Sequence, residues 1–394
     1  MKIMASCTRV IKLLVLATAA TIACLWSLAL SGGTTPAVAH TSASVQPVGV
    51  GGGGGRGEPV VPAVQSLAER VRVSPRFRGE FLVYVLTNSG NLHLTVNWLL
   101  SLHRVGVDVR VPLIVCVDQT AFQRLSGSGL NTVLLSDAIL AEIGLSATTP
   151  SVAGRLASSW TVYGSTSYKH LVHVKMFIAA YIVRLGVPLI FSDVDLVLLR
   201  RDPVNAFEDM VNQLDRIHAA RNISMLIQYD REDNLCTGFY IVRPEPRIQA
   251  FFASYVDILH AHNRDPESHQ EDQHIFNQHC NSTNCRDNLV GELGHAPNEY
   301  LPGRLIFHVA SSAVATFVQR RWALDGYPDT VQYPLMAHAN FLVGTWKEAK
   351  LVAYNMWWVD DAKLLREAGL AADLANTYVS NTWGLWSCFP FWDT

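Results

Sequence analysis

The sequence predicts an α/β domain with a mostly parallel central sheet and covering helices, and three observations carry that reading. Apolar strand segments recur at Phe81–Leu86, Leu113–Val117 and Leu189–Phe191. Between them lie stretches of helical spacing: about Leu92 to Val105, ended by Gly106, and Leu171, Val174, Ile178, Tyr181, Ile182 and Leu185, ended by Gly186 and Pro188. A parallel neighbour needs a long crossover, so strand, helix, strand in alternation points to parallel pairing. Each strand also ends in polar residues, Thr87-Asn88-Ser89-Gly90, Asp118 and Asp193, at the edge where such sheets hold their ligands.

The 394 residues, 49% hydrophobic and 16% charged, suffice for one large or two ordinary domains with a real core. A net charge of -2 provides no basic field for a polyanion, so nucleic acid is excluded as a partner and phosphate recognition has to be local. At the N-terminus, Lys2, Arg9 and Lys12 precede an uncharged run from Leu13 to Leu30. Residues 1–30 are thus expected to be a cytosolic tail and signal-anchor helix with the remainder lumenal. A cleaved signal peptide is the competing reading, since Ala37-Val38-Ala39 has the small-x-small form of a cleavage site. Residues 31–77, including the run Gly51–Gly55, are expected to form a flexible stem, and residues 78–394 the catalytic domain. Beyond the anchor, Cys116, Cys236, Cys280, Cys285 and Cys388 would face an oxidising compartment, with Cys280 and Cys285 near enough to close a short loop. Asn222-Ile-Ser224 and Asn281-Ser-Thr283 are glycan acceptor sequons.

The chemistry concentrates in Leu189–Pro203, LIFSDVDLVLLRRDP. A buried strand ending in Asp193 and Asp195 delivers two carboxylates that can share one hard cation, whose usual partner in such sites is a diphosphate. The helix leading into that strand takes Ser167 as its N-cap and carries Lys175 on its apolar side. That ammonium either snorkels from the core edge or is directed at a sugar nucleotide. Gly127–Ser165 reads as loops and short helices. Strands are expected at Met225–Tyr229 and Phe239–Val242, a helix at Ile248–His260, and an acidic and amide cluster, Glu271–Asn277, opening a further helix. The last third is rich in indole at Trp346, Trp357, Trp358, Trp383, Trp386 and Trp392, faces able to stack on sugars but more commonly core.

Six blocks in order resemble a known family: FLVYVLTN with Asn97-Trp98; Lys175; LIFSDVDLVLLRRDP; Thr237-Gly238-Phe239-Tyr240 with Val242-Arg243-Pro244; Asp272–Asn277; and His338-Ala-Asn340-Phe with Gly344 and Lys347. From about Arg78 to Gly369 the chain is similar to glycosyltransferase family 77, the plant and algal group with a nucleotide-diphospho-sugar transferase domain. The resemblance implies a GT-A fold and a UDP-sugar donor, with Mn2+ or another divalent cation held by Asp193, Asp195 and His338. It further implies Lys347 at the diphosphate, Thr87 and Asn88 toward the uridine, Lys175 among the donor contacts, and Asp272 and Gln273 beside the transferred sugar and the acceptor hydroxyl. A glycan or glycoprotein acceptor, transfer of a pentose or galactose with retention, and a single-pass type II Golgi location follow from the same likeness. Two positions depart from the pattern: Cys236 stands where many relatives carry Asn, and the interval from His338 to Lys347 exceeds that of the histidine-glycine-lysine motif in family 8.

Two other classes fit parts of the chain. An apolar strand before Asp-x-Asp also marks haloacid-dehalogenase-type phosphatases, in which Asp193 would be the nucleophile and Asp195 the acid. A lumenal sugar-binding protein without turnover would keep the same fold.

Overall fold

The computed structural model describes residues 66–145, 166–198, 203–229, 234–265, 268, 270–293, 306–308, 336–339, 345–353, 356–371 and 374. All belong to one unit, Pro62–Thr394; the expected anchor and most of the expected stem lie outside the described residues. Among the described residues no helix is long and apolar enough to cross a membrane.

Strands β1 (Leu82–Thr87), β2 (Leu113–Cys116), β3 (Thr132–Leu134) and β4 (Leu189–Ser192) pair in parallel. A second strand group joins them: β6 (Met225–Tyr229), β7 (Leu235–Val242) and β8 (Val290–Leu293), giving a seven-stranded sheet in the order β3-β2-β1-β4-β7-β6-β8. Here β7 runs antiparallel to β4 and β6, while β6 and β8 are parallel. The α/β class with a mostly parallel sheet is therefore as expected.

Alternation along the strands divides the core between the two faces. Val83, Val85, Ile114, Ile190 and Ile241 pack against Trp98 and Leu99 of α2 (Leu92–Arg104). An α1 helix precedes it at Leu67–Val73. Leu82, Tyr84, Val115, Phe191 and Tyr240 point the other way, onto Phe177, Ile178 and Ile182 of α5 (Thr166–Arg184). Full burial of each such side chain contributes about 2 kcal/mol relative to exposure, enough to override the modest helix propensity of the β-branched residues in α5.

Three boundaries differ from expectation. The stem was expected to run to residue 77, yet Leu67 and Val71 of α1 are buried and the α1 N-terminus is held by Glu142, whose carboxylate accepts from Leu67 N at 2.7 Å and Ala68 N at 2.9 Å. The folded domain therefore starts before Arg78. Within Gly127–Ser165 the chain forms β3 and, after α3 (Gln119–Gly127), the short α4 (Asp137–Glu142); three-residue strands leave almost no periodicity to read. Helix α5 starts at Thr166, so Ser167 is inside it rather than its N-cap.

After β4 the chain leaves the large sheet. Strand β5 (Leu196–Leu198) joins β9 (Ile306–His308) and β10 (Met336–His338) in a small sheet of order β5-β10-β9. Asp193, Val194 and Asp195 form the turn between the two sheets. The other helices are α6 (Pro203–Arg221), α7 (Pro246–Arg264), α8 (Asp272–Thr283), α9 (Cys285–Asn288), α10 (Thr345–Ala353) and α11 (Ala362–Glu367). Cys280 and Cys285 form a disulfide joining α8 to α9.

Candidate active site

The Asp-x-Asp turn is fastened at both ends by main-chain and side-chain hydrogen bonds. Ser192 Oγ accepts from Trp98 Nε1 at 3.0 Å and donates to Asp193 O at 2.9 Å. Asp193 N donates to Gly238 O of β7 at 2.7 Å, and Ala339 N donates to Asp195 O at 3.1 Å. Strand register supplies a third candidate ligand: β10 pairs antiparallel with β5, and His338 lies opposite Leu196, the residue following Asp195. A histidine far away in sequence thereby reaches the carboxylate pair.

One ligand atom each from Asp193, Asp195 and His338 lies within 4.8 Å of the others. His338 Nε2 is 3.3 Å from Asp195 Oδ1, and its Nδ1 is 3.0 Å from Gln228 Oε1. Without a metal both ring nitrogens donate, Nδ1 to Gln228 and Nε2 to Asp195; once Nε2 gives up its proton, the Nδ1 bond to Gln228 fixes the tautomer whose Nε2 lone pair can face a cation. Two carboxylates and one imidazole fit a divalent ion such as Mn2+, which takes oxygen donors and accepts a nitrogen. The backbone makes room for them, because a Cβ on Gly238 would sit 2.5 Å from His338 Cε1 and 3.0 Å from Asp193 Oδ2. The cluster opens on one side: the Asp193 side chain is 33% exposed and that of Asp195 only 7%.

Two lysines complete the charge pattern. Lys347 of α10 pairs with Asp195 Oδ2. Lys175 of α5 lies 3.4 Å from Asp193 Oδ2 and 3.1 Å from Asp272 Oδ2, so its ammonium faces the site rather than solvent. Burial alone would lower the Lys175 pKa, but Asp193 and Asp272 outweigh it and hold the ammonium above its ordinary value. Burial likewise opposes ionisation of Asp195, yet Lys347 and His338 keep that carboxyl below the usual range. Asp193 is pushed upward by burial and by the Asp195 charge, against the pull of Lys175. His338 is held at about 10, since the Asp195 carboxylate overrides the effect of burial.

Asp272 occupies the first turn of α8 and is buried. Its Oδ2 accepts from Thr237 Oγ1 at 2.6 Å as well as from Lys175, and its carbonyl accepts from Tyr255 OH at 2.8 Å. Gln273 follows it in the same turn, with its carbonyl accepting from Asn277 Nδ2 at 2.8 Å. Thus the structure brings Asp193, Asp195, His338, Lys347, Lys175 and Asp272 into one connected charge cluster.

Thr87 and Asn88 stand apart from that cluster in what they bond. Thr87 Oγ1 is 2.6 Å from Thr95 Oγ1, and Asn88 Oδ1 accepts from Asn91 N at 3.0 Å, so both side chains build the loop after β1. Asn88 Nδ2 is buried with no hydrogen-bond partner among the described residues. Cys236, the departure from the expected Asn, is buried and hydrogen-bonded to His338.

Sequence reasoning gave no role to Gln228, Ser192, Trp98, Asn277, Thr237 or Gly238. Most of these stood inside the quoted blocks, and their spacing was visible. Gln228 gave no signal, being a polar residue in a strand whose partner came more than a hundred positions later.

A strand-end carboxylate pair closed by a late histidine and a lysine, on a mostly parallel sheet, is an arrangement that could hold a divalent cation. The chain belongs to the nucleotide-diphospho-sugar transferase family, whose family model matches residues 108–351. It is 22% identical over 185 residues to a UDP-galactose:fucoside alpha-3-galactosyltransferase of Dictyostelium discoideum; the match spans 45% of this chain and 28% of that protein. Among solved structures it is similar to the glycosyltransferase GlyE of Streptococcus pneumoniae, with 13% identity, TM-score 0.37, and coverage of 73% of this chain and 62% of that one. It is also similar to mouse xyloside xylosyltransferase 1, with 9% identity, TM-score 0.39, and coverage of 66% and 98%.

Proposed function

We propose that this transferase moves a sugar from a UDP-sugar to a glycan or glycoprotein acceptor in the secretory pathway, with retention of configuration and with Mn2+ as cofactor. Within its family we assign it to glycosyltransferase family 77, on the six ordered blocks. The observation that carries the reading is the grouping of Asp193, Asp195 and His338 within 4.8 Å, beside Lys347 and Lys175. Asp193, Asp195 and His338 would hold the cation, which when bound would offset the charge that develops on the diphosphate as the bond to sugar C1 breaks. Lys347 keeps Asp195 ionised and adds positive charge on the diphosphate side. Lys175 places one ammonium between Asp193 and Asp272, offsetting their mutual repulsion. Asp272 is the carboxylate suited to the face of an oxocarbenium-like sugar, with Gln273 beside it. UDP-galactose is the first donor to test, as the name of the Dictyostelium relative suggests, with UDP-xylose and UDP-arabinose next.

The phosphatase reading has lost its footing, since β4 is the fourth strand of its sheet in sequence and the chain matches a transferase family. In the test, purified full-length protein is incubated with each UDP-sugar and Mn2+ while free UDP is measured. UDP release that disappears with a chelator, and falls at least about a hundredfold in Asp195→Ala with an unchanged circular dichroism spectrum, is the expected result. Release indifferent to chelator would overturn the metal role. Tight binding of UDP-sugars without release, across all donors and acceptors, would leave a sugar-binding protein instead.

A further inference from the structure

Asp272 is better restrained than a surface carboxylate in the first turn of a helix needs to be. It is 3% exposed. Both of its side-chain donors, Thr237 Oγ1 at 2.6 Å and Lys175 Nζ at 3.1 Å, converge on the same oxygen, Oδ2. Its carbonyl is held by Tyr255 OH at 2.8 Å. Further along α8, Asn277 exchanges a reciprocal pair of bonds with Leu235, Oδ1 accepting from Leu235 N at 2.9 Å and Nδ2 donating to Leu235 O at 2.8 Å. Helix α8 is therefore bolted to β7 at two points, Asp272 and Asn277, about one and a half helical turns apart, and Thr237 is the strand residue nearest the charge cluster.

Thr237 and Gly238 are consecutive on β7, at the stretch where its pairing with β6 shifts register, and they meet different neighbours. Gly238 yields space to His338 and Asp193, while Thr237 reaches Asp272. One strand thus sets the spacing between the metal-ligand cluster and the carboxylate of α8. A short bond from a hydroxyl to a carboxylate oxygen is charge-assisted, and it fixes the rotamer of the carboxylate. With Oδ2 taken by two donors, Oδ1 is the oxygen that no donor among the described residues engages, and so the one available to a substrate.

We infer that Thr237 is a positioning residue for the transfer step: its hydroxyl, together with Lys175, locks Asp272 so that Oδ1 is presented to the reacting sugar. This rests on the transferase reading above. Held this way, Asp272 acts on the transition state without reorganising at the moment of reaction, so losing the hydroxyl should lower kcat while sparing donor binding.

The full-length parent, Thr237→Val, Thr237→Ser and Asp272→Asn are compared for UDP release from UDP-galactose and for Mn2+-dependent UDP binding by calorimetry. Expected are a kcat lowered about 10- to 100-fold in Thr237→Val and further in Asp272→Asn, UDP affinity within about twofold of the parent in both, and recovery to within a few-fold of parental kcat in Thr237→Ser. Parental kcat in Thr237→Val, or equal losses in kcat and UDP affinity, would overturn the inference. A parent that turns over no UDP-sugar fails the transferase reading instead. The contact is then judged by thermal melting of Thr237→Val, Asp272→Asn and the double variant: non-additive losses support the hydroxyl-carboxylate lock, and additive losses overturn it.

Discussion

At Gly238 a missing methyl group decides whether the charge cluster can assemble. Any side chain there would place its first carbon against the ring of His338 and the carboxylate of Asp193. The ring cannot swing away cheaply, because Gln228 and Asp195 hold its two nitrogens. Gly238→Ala should accordingly weaken Mn2+ binding by about tenfold or more and lower the melting temperature by several degrees, measured by calorimetry and by thermal denaturation. His338 makes a second prediction. Its folded pKa of about 10 lies above the ordinary 6.5, so its pairing with Asp195 stabilises the metal-free fold fully below pH 6.5 and loses that contribution as pH rises through about 10. A metal takes the neutral imidazole, so a proton competes with it over the same window. Apparent Mn2+ affinity should rise about tenfold per pH unit through the neutral range, with one proton released on binding, and the slope should vanish in His338→Ala. Titrations in buffers of different ionisation enthalpy would count that proton.

Among the elements, α8 ties the candidate site to the sheet. It begins at Asp272, is clamped to β7 by Asn277, and ends at the Cys280–Cys285 bridge. The loop closed by this disulfide is short, so its removal should cost about 2 kcal/mol rather than abolish folding. Cys280→Ala with Cys285→Ala, or treatment with a thiol reductant, is expected to lower the melting temperature by a few degrees, and calorimetric melts in oxidised and reduced buffer would show it. Asn97 does similar service at the other end of the chain, donating to Met356 O at 2.9 Å and accepting from Trp358 N at 2.8 Å, which ties the segment after α10 to α2. This explains why Asn97-Trp98 stands out in the sequence: Trp98 secures the Asp193 turn through Ser192 while Asn97 secures the C-terminal segment.

On the scale of the whole molecule, the two sequons test the proposed lumenal topology. Asn222, at the turn after α6, and Asn281, in α8, are both exposed, so a glycan would meet no packed surface at either. Full-length protein made in a secretory host should gain gel mobility on endoglycosidase treatment, in two steps removed separately by Asn222→Gln and Asn281→Gln. Unchanged mobility, with protease access in sealed microsomes, would reverse the topology.

The sequence by itself determined the sheet's first strands and their crossover helices, because apolar runs of five or six residues and helical spacing over five turns are local signals. It also pointed to the candidate site, since Asp193 and Asp195 stand at a strand end, and ordered blocks pointed to His338 and Lys347. The tertiary structure alone decided how these meet. The chain switches sheets at the Asp-x-Asp, and the register of β10 on β5 then sets His338 beside Asp195, a pairing of distant residues that no local pattern encodes. Likewise Lys175, ambiguous on its helix face, became a site residue because α5 packs its buried side over Phe191 and brings the ammonium to Asp193 and Asp272. Gln228 stayed silent in the sequence, and Thr237 and Gly238, though inside a quoted block, carried no role there, for the same physical reason: their importance resides in contacts across strands and between sheet and helix, which exist only once the chain has closed on itself.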